Sequence, residues 1–386
     1  MRAPLARYPS SIFQAELLAE AGHKVWILDT EDGGYRATAL PDSVERVILS
    51  KTDYTWRRKL PLLAPWRRRL FSARLARALK NIRPDLVIVY EPPAMATLGR
   101  LMKKKQLVGR VVWHFHEQPE LWPGIGPGTR RDIEYAQGHA EEQDLIIFPD
   151  RFRAQTFKNE VLLSTLPLVV MNCPRRVAEL PEANLRPRLE FVSGDDFIVI
   201  YNGSIGPNRG VDLAVRSMKY WPCNTCLVLV GPCSDAYRKE MISLSRDIGA
   251  KKRLVFLGTI APEEIWSARR GADIALTMMV EGDNRRNLTF RYGAGASNKR
   301  FEAITAGVAQ ITNKGAGIDE IVVNTGCGLA VDPDSPEELG RAVRHLLQNR
   351  EVREEMGRKG RQIHLARFNY ETQFEPVMDR ITALME

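Results

Sequence analysis

The sequence has few cysteines that could form disulfide bonds and no long apolar run that could span a membrane. Its 386 residues include five cysteines at irregular spacing and six histidines. An odd, irregular set of cysteines does not suggest a disulfide framework, so we expect reduced thiols. No apolar run reaches the roughly 18 residues of a membrane-spanning helix. The first residues, MRAPLARYPSSIFQ, have no long apolar core, so we expect no secretory signal.

The composition is that of a globular protein with room for two domains. Hydrophobic residues make up 44% of the chain and charged residues 27%. These fractions exclude a largely disordered, collagenous or coiled-coil chain. The length allows two or three domains of ordinary size, each able to bury a core without a structural metal.

Positive charge is concentrated in one part of the chain. The net charge is +9, yet residues 46–110 hold seventeen Lys or Arg and three acidic residues, which leaves 39 basic and 44 acidic residues elsewhere. Two segments interleave tryptophan with arginine, namely Trp56, Arg57, Arg58 and Trp66, Arg67, Arg68. This pattern suits an anionic membrane surface. A solvated helix face with a polar loop is an equally open interpretation, and nucleic acid is the least favoured partner because no recognition motif accompanies the charge.

Short apolar runs rich in β-branched residues alternate with helical patterns along the whole chain. Such runs are typical of parallel strands buried on both faces, and the alternation predicts an α/β fold with doubly wound domains. The candidate strands are Val25–Leu28, Val44–Leu49, Leu86–Tyr90, Val111–Phe115, Leu145–Phe148, Leu168–Met171, Phe197–Tyr201, Leu227–Val230, Leu254–Leu257, Ile274–Met278, Ala309–Thr312 and Leu329–Val331.

The strands fall into two series, which predict two Rossmann-like domains. We place the first domain at 1–172 and the second at 197–368. Residues 173–196 carry three prolines and much charge, and we expect them to be a linker. Residues 369–386 have apolar positions at helical spacing, which predicts a terminal amphipathic helix.

The first domain lacks an apolar run ahead of its first helix. That helix is predicted over Ser11–Ala21, and only about ten residues precede it. A doubly wound domain normally opens with a strand that becomes central in the sheet. We therefore expect this first strand to be missing from residues 1–8 and the natural start to lie upstream.

A glycine-containing loop after the strand at Phe197 is the first candidate site. Gly203, Ser204 and Arg209 lie between that strand and a predicted helix over Asp212–Met218. Glycine lets the backbone approach a ligand closely, and the arginine fork suits phosphate. A plain strand-to-helix turn is the alternative for this segment.

A second candidate is the start of the helix that contains Lys299. Small residues at 293–296 lead into Ser297 and Asn298, and free N–H groups at a helix start attract a diphosphate. Lys299 would add a positive charge, and Glu302 would accept hydrogen bonds from ribose hydroxyls. The alternative is an ordinary acidic residue in the first turn of a helix.

Two further strand ends carry candidate residues. Gly258, Thr259 and Ile260 follow one strand, and their backbone is positioned to border a nucleobase. His116 and Glu117 follow another, where they would orient sugar hydroxyls or move a proton. His114 and His116 are two residues apart, so on a strand they would share one face, but zinc there is disfavoured because no third ligand is evident.

We expect no metal at the D-x-D sequence of Asp332, Pro333 and Asp334. Ser335 is followed by a proline and, at the third position, by Glu338. This order is typical of a helix cap, so the acidic residues are interpreted as part of a helix start.

Taken together, the ordered segments resemble the retaining glycosyltransferases of family 4, which have the GT-B fold. The segments are Ala19–Val25, Arg83–Val89, Tyr201–Gly210, Ser297–Ala303 and Asp334–Leu339. Glu302 matches the second residue of the family's paired glutamates, whereas the first falls on Ala294. Arg209 matches the lysine of the family's Lys-Gly pair.

The resemblance implies two domains that face each other across a cleft. The second would bind a nucleotide-sugar donor through Gly203, Ser204, Arg209, the 258–260 and 297–299 segments and Glu302. The first would bind a lipid-linked or glycan acceptor through His116 and Glu117, and the final helix would cross back to it. Arg209, Lys299 and His116 would take the catalytic roles, with no metal or other cofactor.

The expected location is the cytoplasm, with a peripheral position on the inner membrane face where the Trp-Arg segments allow it. Two other functions stay open at this point. One is a sugar-nucleotide epimerase of the same fold. The other is a degenerate protein that binds a nucleotide sugar or a membrane surface without catalysis.

Overall fold

The computed structural model describes residues 9–31, 40–51, 64–103, 109–119, 121, 124–183, 185–189, 193–207, 209–261, 264–279, 297–315 and 317–386. The chain divides into two compact units. Unit 1 comprises Met1–Met171 and Tyr370–Glu386, and unit 2 comprises Asn172–Asn369. Both are α/β with parallel sheets, so the predicted fold class is confirmed. The missing first strand concerns residues 1–8, which lie outside the described residues.

Among the described residues of unit 1, the strands form two parallel sheets, one of two strands in the order β1-β2 and one of four in the order β3-β4-β5-β6. The strands are β1 (Val25–Glu31), β2 (Val44–Lys51), β3 (Leu86–Tyr90), β4 (Arg110–His114), β5 (Leu145–Phe148) and β6 (Leu168–Val169). The helices are α1 (Pro9–Glu20), α2 (Ala64–Ile82), α3 (Pro92–Lys103), α4 (Pro127–Gly138) and α5 (Arg151–Val161).

Unit 2 contains one parallel sheet of six described strands in the order β12-β11-β10-β7-β8-β9. These are β7 (Phe197–Asn202), β8 (Thr225–Val230), β9 (Leu254–Gly258), β10 (Ile274–Leu276), β11 (Gln310–Asn313) and β12 (Gly328–Val331). The helices are α6 (Val211–Ser217), α7 (Asp235–Asp247), α8 (Ile265–Arg270), α9 (Asn298–Ala306), α10 (Ile318–Ile321), α11 (Pro336–Gln348) and α12 (Arg350–Ala366).

The last helix, α13 (Tyr370–Met385), packs in unit 1 although it ends the chain. One face of the four-stranded sheet carries Val112 and Ile147. Against this face, α13 buries Tyr370, Phe374 and Ile381. The opposite face packs against α2 and α3. Helices therefore cover both faces of the sheet, which explains why its strands are nearly continuous apolar runs.

We expected residues 173–196 to form a linker, but the part of this segment that the structure describes belongs to unit 2. Leu185 and Leu189 are buried in the core that lines one face of its sheet. Arg361 of α12 also donates to the backbone carbonyls of Val177 and Ala178. The two buried leucines and these hydrogen bonds therefore attach the described part of the segment to unit 2.

The cap predicted at the start of α11 is present. The Ser335 hydroxyl accepts a hydrogen bond from the Glu338 backbone N–H at 3.1 Å. Glu338 in turn accepts from the Asp332 N–H at 3.2 Å and from Lys314 at 2.8 Å. These contacts tie the acidic segment before α11 into a helix start.

Helix α12 packs against the C-terminal end of α9. Gly307 ends α9 in the left-handed conformation, with φ 68°. Its carbonyl oxygen lies against Gly357, where an added Cβ would come within 2.2 Å of it. The two helices therefore approach closely because Gly357 has no side chain.

We expect Gly357→Ala to destabilise the protein by about 1–3 kcal/mol, because the new methyl group would push α12 away from the end of α9. Urea denaturation measures the change in the free energy of unfolding. The matched control is Gly138→Ala at the end of α4, where an added Cβ meets nothing within 4 Å. Equal stability of the two variants would show that the helices do not depend on this contact.

Candidate active site

Three glycine turns lie side by side where β7, β8 and β9 end. Gly203, Gly231 and Gly258 have φ of 127°, 137° and 77°, a region that other residues rarely adopt. The Gly203 N–H donates to the Val230 carbonyl at 2.9 Å, and the Gly231 N–H donates to the Gly258 carbonyl at 2.8 Å. A Cβ on Gly231 would lie 2.0 Å from the Gly203 oxygen. The turns therefore pack backbone against backbone and leave the strand ends accessible to a ligand.

Lys299 reaches this edge from the first turn of α9. Its Nζ donates to the Tyr201 hydroxyl at 3.0 Å and to the Met278 carbonyl at 3.3 Å, and it lies 4.4 Å from the Tyr201 ring centroid. The Tyr201 hydroxyl donates to the Ser204 carbonyl at 3.0 Å. One chain of hydrogen bonds thus joins the lysine to the loop that follows β7.

The electrostatic environment of Lys299 makes its ammonium group easy to deprotonate. Burial, followed by the positive charges of Arg209 and Arg300, lowers the pKa of Lys299 to about 7, while Glu302 acts in the opposite direction. Arg209, the other cation predicted from the sequence, is therefore close enough to Lys299 for its charge to lower the pKa of the lysine. An anion bound there would relieve their repulsion and favour the charged lysine.

The Glu302 carboxylate is held by a residue that the sequence interpretation missed. Arg269 of α8 donates to Glu302 and, through Nε, to the Asn202 side chain at 3.0 Å. Burial lowers the pKa of Arg269. The Glu302 side chain remains 24% exposed, so it is oriented by the arginine and still accessible.

The side chain of Arg300 holds the start of α9 against a neighbouring strand. It is fully buried and donates to the Thr312 hydroxyl at 3.0 Å and to the Asn313 side chain at 3.3 Å. Asn313 also accepts from the Met279 N–H at 2.9 Å. The arginine directly after Lys299 therefore fixes the lysine's backbone to the neighbouring strand β11.

The other candidates of unit 2 lie around this cluster. Gly258, Thr259, Ser204 and Asn298 are exposed, and Ser297 and Ile260 are half-buried. Ser297 occupies the N-cap position of α9, but its hydroxyl does not accept a hydrogen bond from the first turn. The small-residue lead-in at 293–296, including Ala294, lies outside the described residues. Within the described part of the chain, no three His, Cys, Asp or Glu residues are grouped to hold a metal ion.

In unit 1, His116 is nearly buried and lies between a carboxylate and a hydroxyl. Its backbone N–H donates to Glu91 Oε1 at 2.9 Å, and its Nδ1 lies 3.1 Å from the same oxygen. Because a carboxylate only accepts, Nδ1 carries a proton and donates it to Glu91, and Nε2 lies 2.9 Å from the Ser10 hydroxyl. Glu91 is in the left-handed region, with φ 66°, which is unusual for this residue type.

His114 belongs to a second, fully buried network under His116. The two rings stack with centroids 4.9 Å apart, as expected for residues that share a strand face. The Gln14 amide donates to His114 Nδ1 and to the Tyr370 hydroxyl, each at 2.7 Å. Burial and the adjacent His116 lower the pKa of His114 well below its usual value. This ring is therefore a neutral structural element.

Sequence reasoning missed Ser10, Gln14 and Glu91 as partners of the two histidines. Glu91 directly follows an apolar strand, which is a signal that the sequence contains. Ser10 and Gln14 are separated from their partners by about a hundred positions, and no local pattern links them. Glu117, the neighbour of His116, is 64% exposed and pairs with Arg153 at 3.1 Å.

The residues proposed for the membrane patch are only partly described. Trp56, Arg57 and Arg58 lie outside the described residues, as does the side chain of Arg67. Trp66, at the start of α2, is 70% exposed. Arg68 pairs with the buried carboxylate of Asp132 at 3.3 Å. Of the predicted patch, Trp66 is therefore exposed, whereas Arg68 is half-buried and pairs with a buried carboxylate.

Two family models match the chain. The model of glycosyl transferases group 1 matches residues 186–363, and the model of glycosyltransferase family 4 matches residues 14–161. The first range contains all the unit 2 candidates, and the second contains His116 and Glu117. Between them the two matches cover most of both units.

Curated relatives are similar at low identity. A GDP-mannose-dependent alpha-(1-6)-phosphatidylinositol monomannoside mannosyltransferase of Mycolicibacterium smegmatis is 23% identical over 75% of this chain and 80% of the relative. A lipopolysaccharide 1,2-N-acetylglucosaminetransferase of Salmonella typhimurium is 24% identical over 71% of this chain and 67% of the relative.

Solved structures share the fold over nearly the whole chain. HepE of Anabaena in complex with UDP has a TM-score of 0.76 at 16% identity and covers 99% of this chain and 98% of its own. Sucrose-phosphate synthase of Thermosynechococcus elongatus has a TM-score of 0.73 at 18% identity, covering 96% and 91%. At this identity, the likeness shows the fold alone.

We expect the low pKa of Lys299 to make unit 2 more stable as the pH rises. An unfolded lysine keeps its proton up to its ordinary pKa near 10.5, whereas folded Lys299 loses it near 7. Between these values the unfolded state binds more protons, so the free energy of unfolding increases with pH, by at most about 1.4 kcal/mol per pH unit.

Lys299→Met removes this contribution and should flatten the rise between pH 7 and pH 9. Hydrogen exchange of the β8 amides in urea reports the stability of unit 2. Lys252→Met, at an exposed position, is the matched control and should keep the wild-type slope. The interpretation fails if wild type and Lys299→Met show the same dependence on pH.

Proposed function

Because the chain belongs to glycosyltransferase family 4 and has the GT-B fold, we propose that it transfers a sugar from a nucleotide-sugar donor to a lipid-linked or glycan acceptor, with retention of anomeric configuration. The enzyme class follows from the family and from transferase relatives. The donor and acceptor classes are those that the relatives' names give. The donor is assigned to unit 2 and the acceptor to unit 1.

The cationic region at Arg209 and Lys299 is the observation that carries this proposal. When the bond between the sugar and the diphosphate breaks, the leaving group gains negative charge. Lys299, which Tyr201 and Met278 hold beside the Gly203 turn before the reaction, is suited to stabilise that charge, and the nearby positive charge of Arg209 would add to it. The helix start at Asn298 adds N–H groups that favour an anion.

Lys299 would act as a proton-linked switch in donor binding. With a pKa of about 7, it is only partly charged at neutral pH while the site is free of anions. A diphosphate would raise the pKa and bring the lysine to its charged form. Donor binding then draws in the proton that stabilises the departing phosphate.

Glu302 and the loop after β9 are assigned to the nucleoside. The carboxylate of Glu302, oriented by Arg269, accepts hydrogen bonds from ribose hydroxyls in this proposal. The backbone of Gly258, Thr259 and Ile260 borders the base. No metal is needed in this scheme, because the positive side chains supply the charge that a divalent ion would otherwise provide.

His116 and Glu117 are assigned to the acceptor. The Glu91 carboxylate and the Ser10 hydroxyl fix the ring of His116 in one orientation. The two curated relatives act, by name, on a phosphatidylinositol mannoside and on a lipopolysaccharide, both of which are lipid-anchored. This supports a lipid acceptor for this chain as well.

A lipid acceptor would require the protein to contact a membrane surface, and the exposed side of α2 is suited to this contact. Trp66 and Leu70 are 70% and 49% exposed and lie one helical turn apart, with exposed Arg69 beside them. Apolar and basic side chains on one helix surface suit the headgroup region of an anionic bilayer. In the described part of the chain, no helix has both the length and the apolarity to cross a bilayer.

We expect Lys299→Ala to lower turnover by about 10²-fold or more, because it removes a preorganised charge from the leaving group. The assay follows sugar transfer from UDP- and GDP-linked hexoses to phosphatidylinositol and lipopolysaccharide acceptors. Lys252→Ala is the control for loss of a surface charge and should keep wild-type turnover. Near-normal turnover of Lys299→Ala would remove the lysine from the mechanism.

We expect the double variant Trp66→Ala, Leu70→Ala to lower binding to vesicles that contain anionic phospholipid by about tenfold, and turnover with a soluble acceptor to stay unchanged. Vesicle flotation measures the binding. Leu162→Ala is the matched control, since Leu162 is 85% exposed and directly follows α5 rather than lying on α2. If the double variant floats like wild type, α2 is not the membrane contact.

A further inference from the structure

Arg269 connects the end of strand β7 with the carboxylate of Glu302. From α8, its Nε donates to the Asn202 side chain at 3.0 Å, and its Nη2 donates to Oε2 of Glu302. Asn202 is the last residue of β7 and directly precedes the Gly203 turn. We propose that Arg269, held by Asn202, orients Glu302 so that unit 2 selects ribonucleotide donors over deoxyribonucleotide donors. This selection rests on the proposed function, in which Glu302 binds the ribose, and adds the donor class and the residue that determines it.

Glu302 has hydrogen-bond acceptors left for a sugar. Arg269 donates to Oε2, and among the described residues no group donates to Oε1. The side chain is 24% exposed, so the carboxylate is not enclosed by the protein. A carboxylate has about four acceptor positions, and the two neighbouring hydroxyls of a ribose supply two donors. A 2′-deoxyribose supplies only one, and leaves an acceptor of the carboxylate without its partner.

The burial of Arg269 is not explained by the stability of unit 2. The residue is 1% exposed, and its Nη1 has no hydrogen-bond partner in the part of the chain that the structure describes. Burial lowers the pKa of Arg269, which means that its charged form is disfavoured at this position. Apolar residues of similar volume often stabilise a fold as well as a buried ion pair does. The orientation of Glu302 is therefore the better reason for an arginine here.

The planar guanidinium of Arg269 fixes the Glu302 carboxylate in one position. Its donors have a rigid geometry, so bonds to both Asn202 and Glu302 determine the plane of the group. The ring of Trp266 also packs near this plane, with its centroid 5.3 Å from Arg269 Cζ. The carboxylate is thus ordered before a ligand arrives. A ribose that binds it does not have to supply the free energy of that ordering.

The positions assigned to the ribose and to the diphosphate are attached to the same strand end. Lys299 and Glu302 are three residues apart on α9, so their side chains leave the same side of the helix. Lys299 is bonded to Tyr201, and Glu302 is linked through Arg269 to Asn202. Tyr201 and Asn202 are the last two residues of β7. A nucleotide whose diphosphate binds Lys299 would therefore bring its ribose toward a carboxylate that is fixed relative to the lysine.

The absence of one ribose hydroxyl should have a measurable effect on affinity. A hydrogen bond to a charged group contributes a factor of about 10–100 to an equilibrium constant. A site built to bond a hydroxyl also rejects the analogue that lacks it, because its own acceptor is left unpaired. Donors that carry deoxythymidine diphosphate would belong to the rejected class.

The test measures the binding of UDP, 2′-deoxy-UDP, GDP and 2′-deoxy-GDP to the full chain by isothermal titration calorimetry. We expect wild type to bind UDP or GDP about 10–100-fold more tightly than the corresponding 2′-deoxy nucleotide. Arg269→Lys keeps the positive charge without the planar fork, and should reduce this ratio to about threefold or less. The affinity for the 2′-deoxy nucleotide should stay within about twofold of wild type, because the lost contact is the one to the missing hydroxyl.

Two further variants separate orientation from folding. Asn202→Ala removes the other partner of the guanidinium and should lower the ratio as Arg269→Lys does. Arg270→Lys is the matched control, since Arg270 is the next residue of α8, is exposed and donates to the backbone carbonyls of Leu180 and Pro181. It should keep the wild-type ratio. A variant that only loosened the fold would weaken the binding of both nucleotides alike and would also keep the ratio.

Three results would overturn the proposal. If wild type binds a ribonucleotide and its 2′-deoxy form equally, Glu302 does not select the donor class, although unit 2 still binds nucleotides. If Arg269→Lys and Asn202→Ala both keep the wild-type ratio, the selection does not depend on Arg269. If wild type binds neither UDP nor GDP, the assignment of a nucleotide to unit 2 is wrong, and the selection proposed here is wrong with it.

Discussion

The contact between the peptide groups of Gly203 and Gly231 determines the rest of the unit 2 site. Because no side chain separates them, the ends of β7 and β8 stay hydrogen-bonded beyond the regular sheet. Tyr201 and Ser204 are held by that turn, and Lys299 is held by Tyr201. If this turn were displaced, Tyr201 would move and Lys299 would lose its hydrogen-bond partner. The packing of the two glycines therefore also determines where the positive charge of Lys299 lies.

The two units organise their polar groups in opposite ways. In unit 2, like charges are gathered next to backbone N–H groups, an arrangement that is costly without an anion and favourable with one. In unit 1, the polar side chains around His116 bond to one another. His116 is bonded on both ring nitrogens, and Glu91 adopts a left-handed backbone conformation beside it. The first arrangement is suited to a changing charge, and the second to a fixed orientation.

The fold was largely predictable from the sequence because buried strands leave a strong local signal. All twelve predicted strands are present, with ends that differ by a few residues. The prediction for 173–196 was less successful, since the contacts that attach its described residues to unit 2, such as the burial of Leu185 and Leu189, follow no sequence period. Pairings such as Arg269 with Glu302 join distant positions and leave no local pattern. The roles of the site residues stay predictions.

The placement of α13 has a consequence for biosynthesis. Phe374 and Ile381 complete the apolar core of unit 1, and Tyr370 is bonded to Gln14 near the other end of the chain. A ribosome delivers Gln14 before any residue of unit 2 and Tyr370 after the last of them. Unit 2, whose residues lie within Asn172–Asn369, has all of its chain before α13 is made. The order of synthesis thus lets the second unit mature before the first, and a nascent unit 1 keeps part of its core uncovered until α13 has been translated.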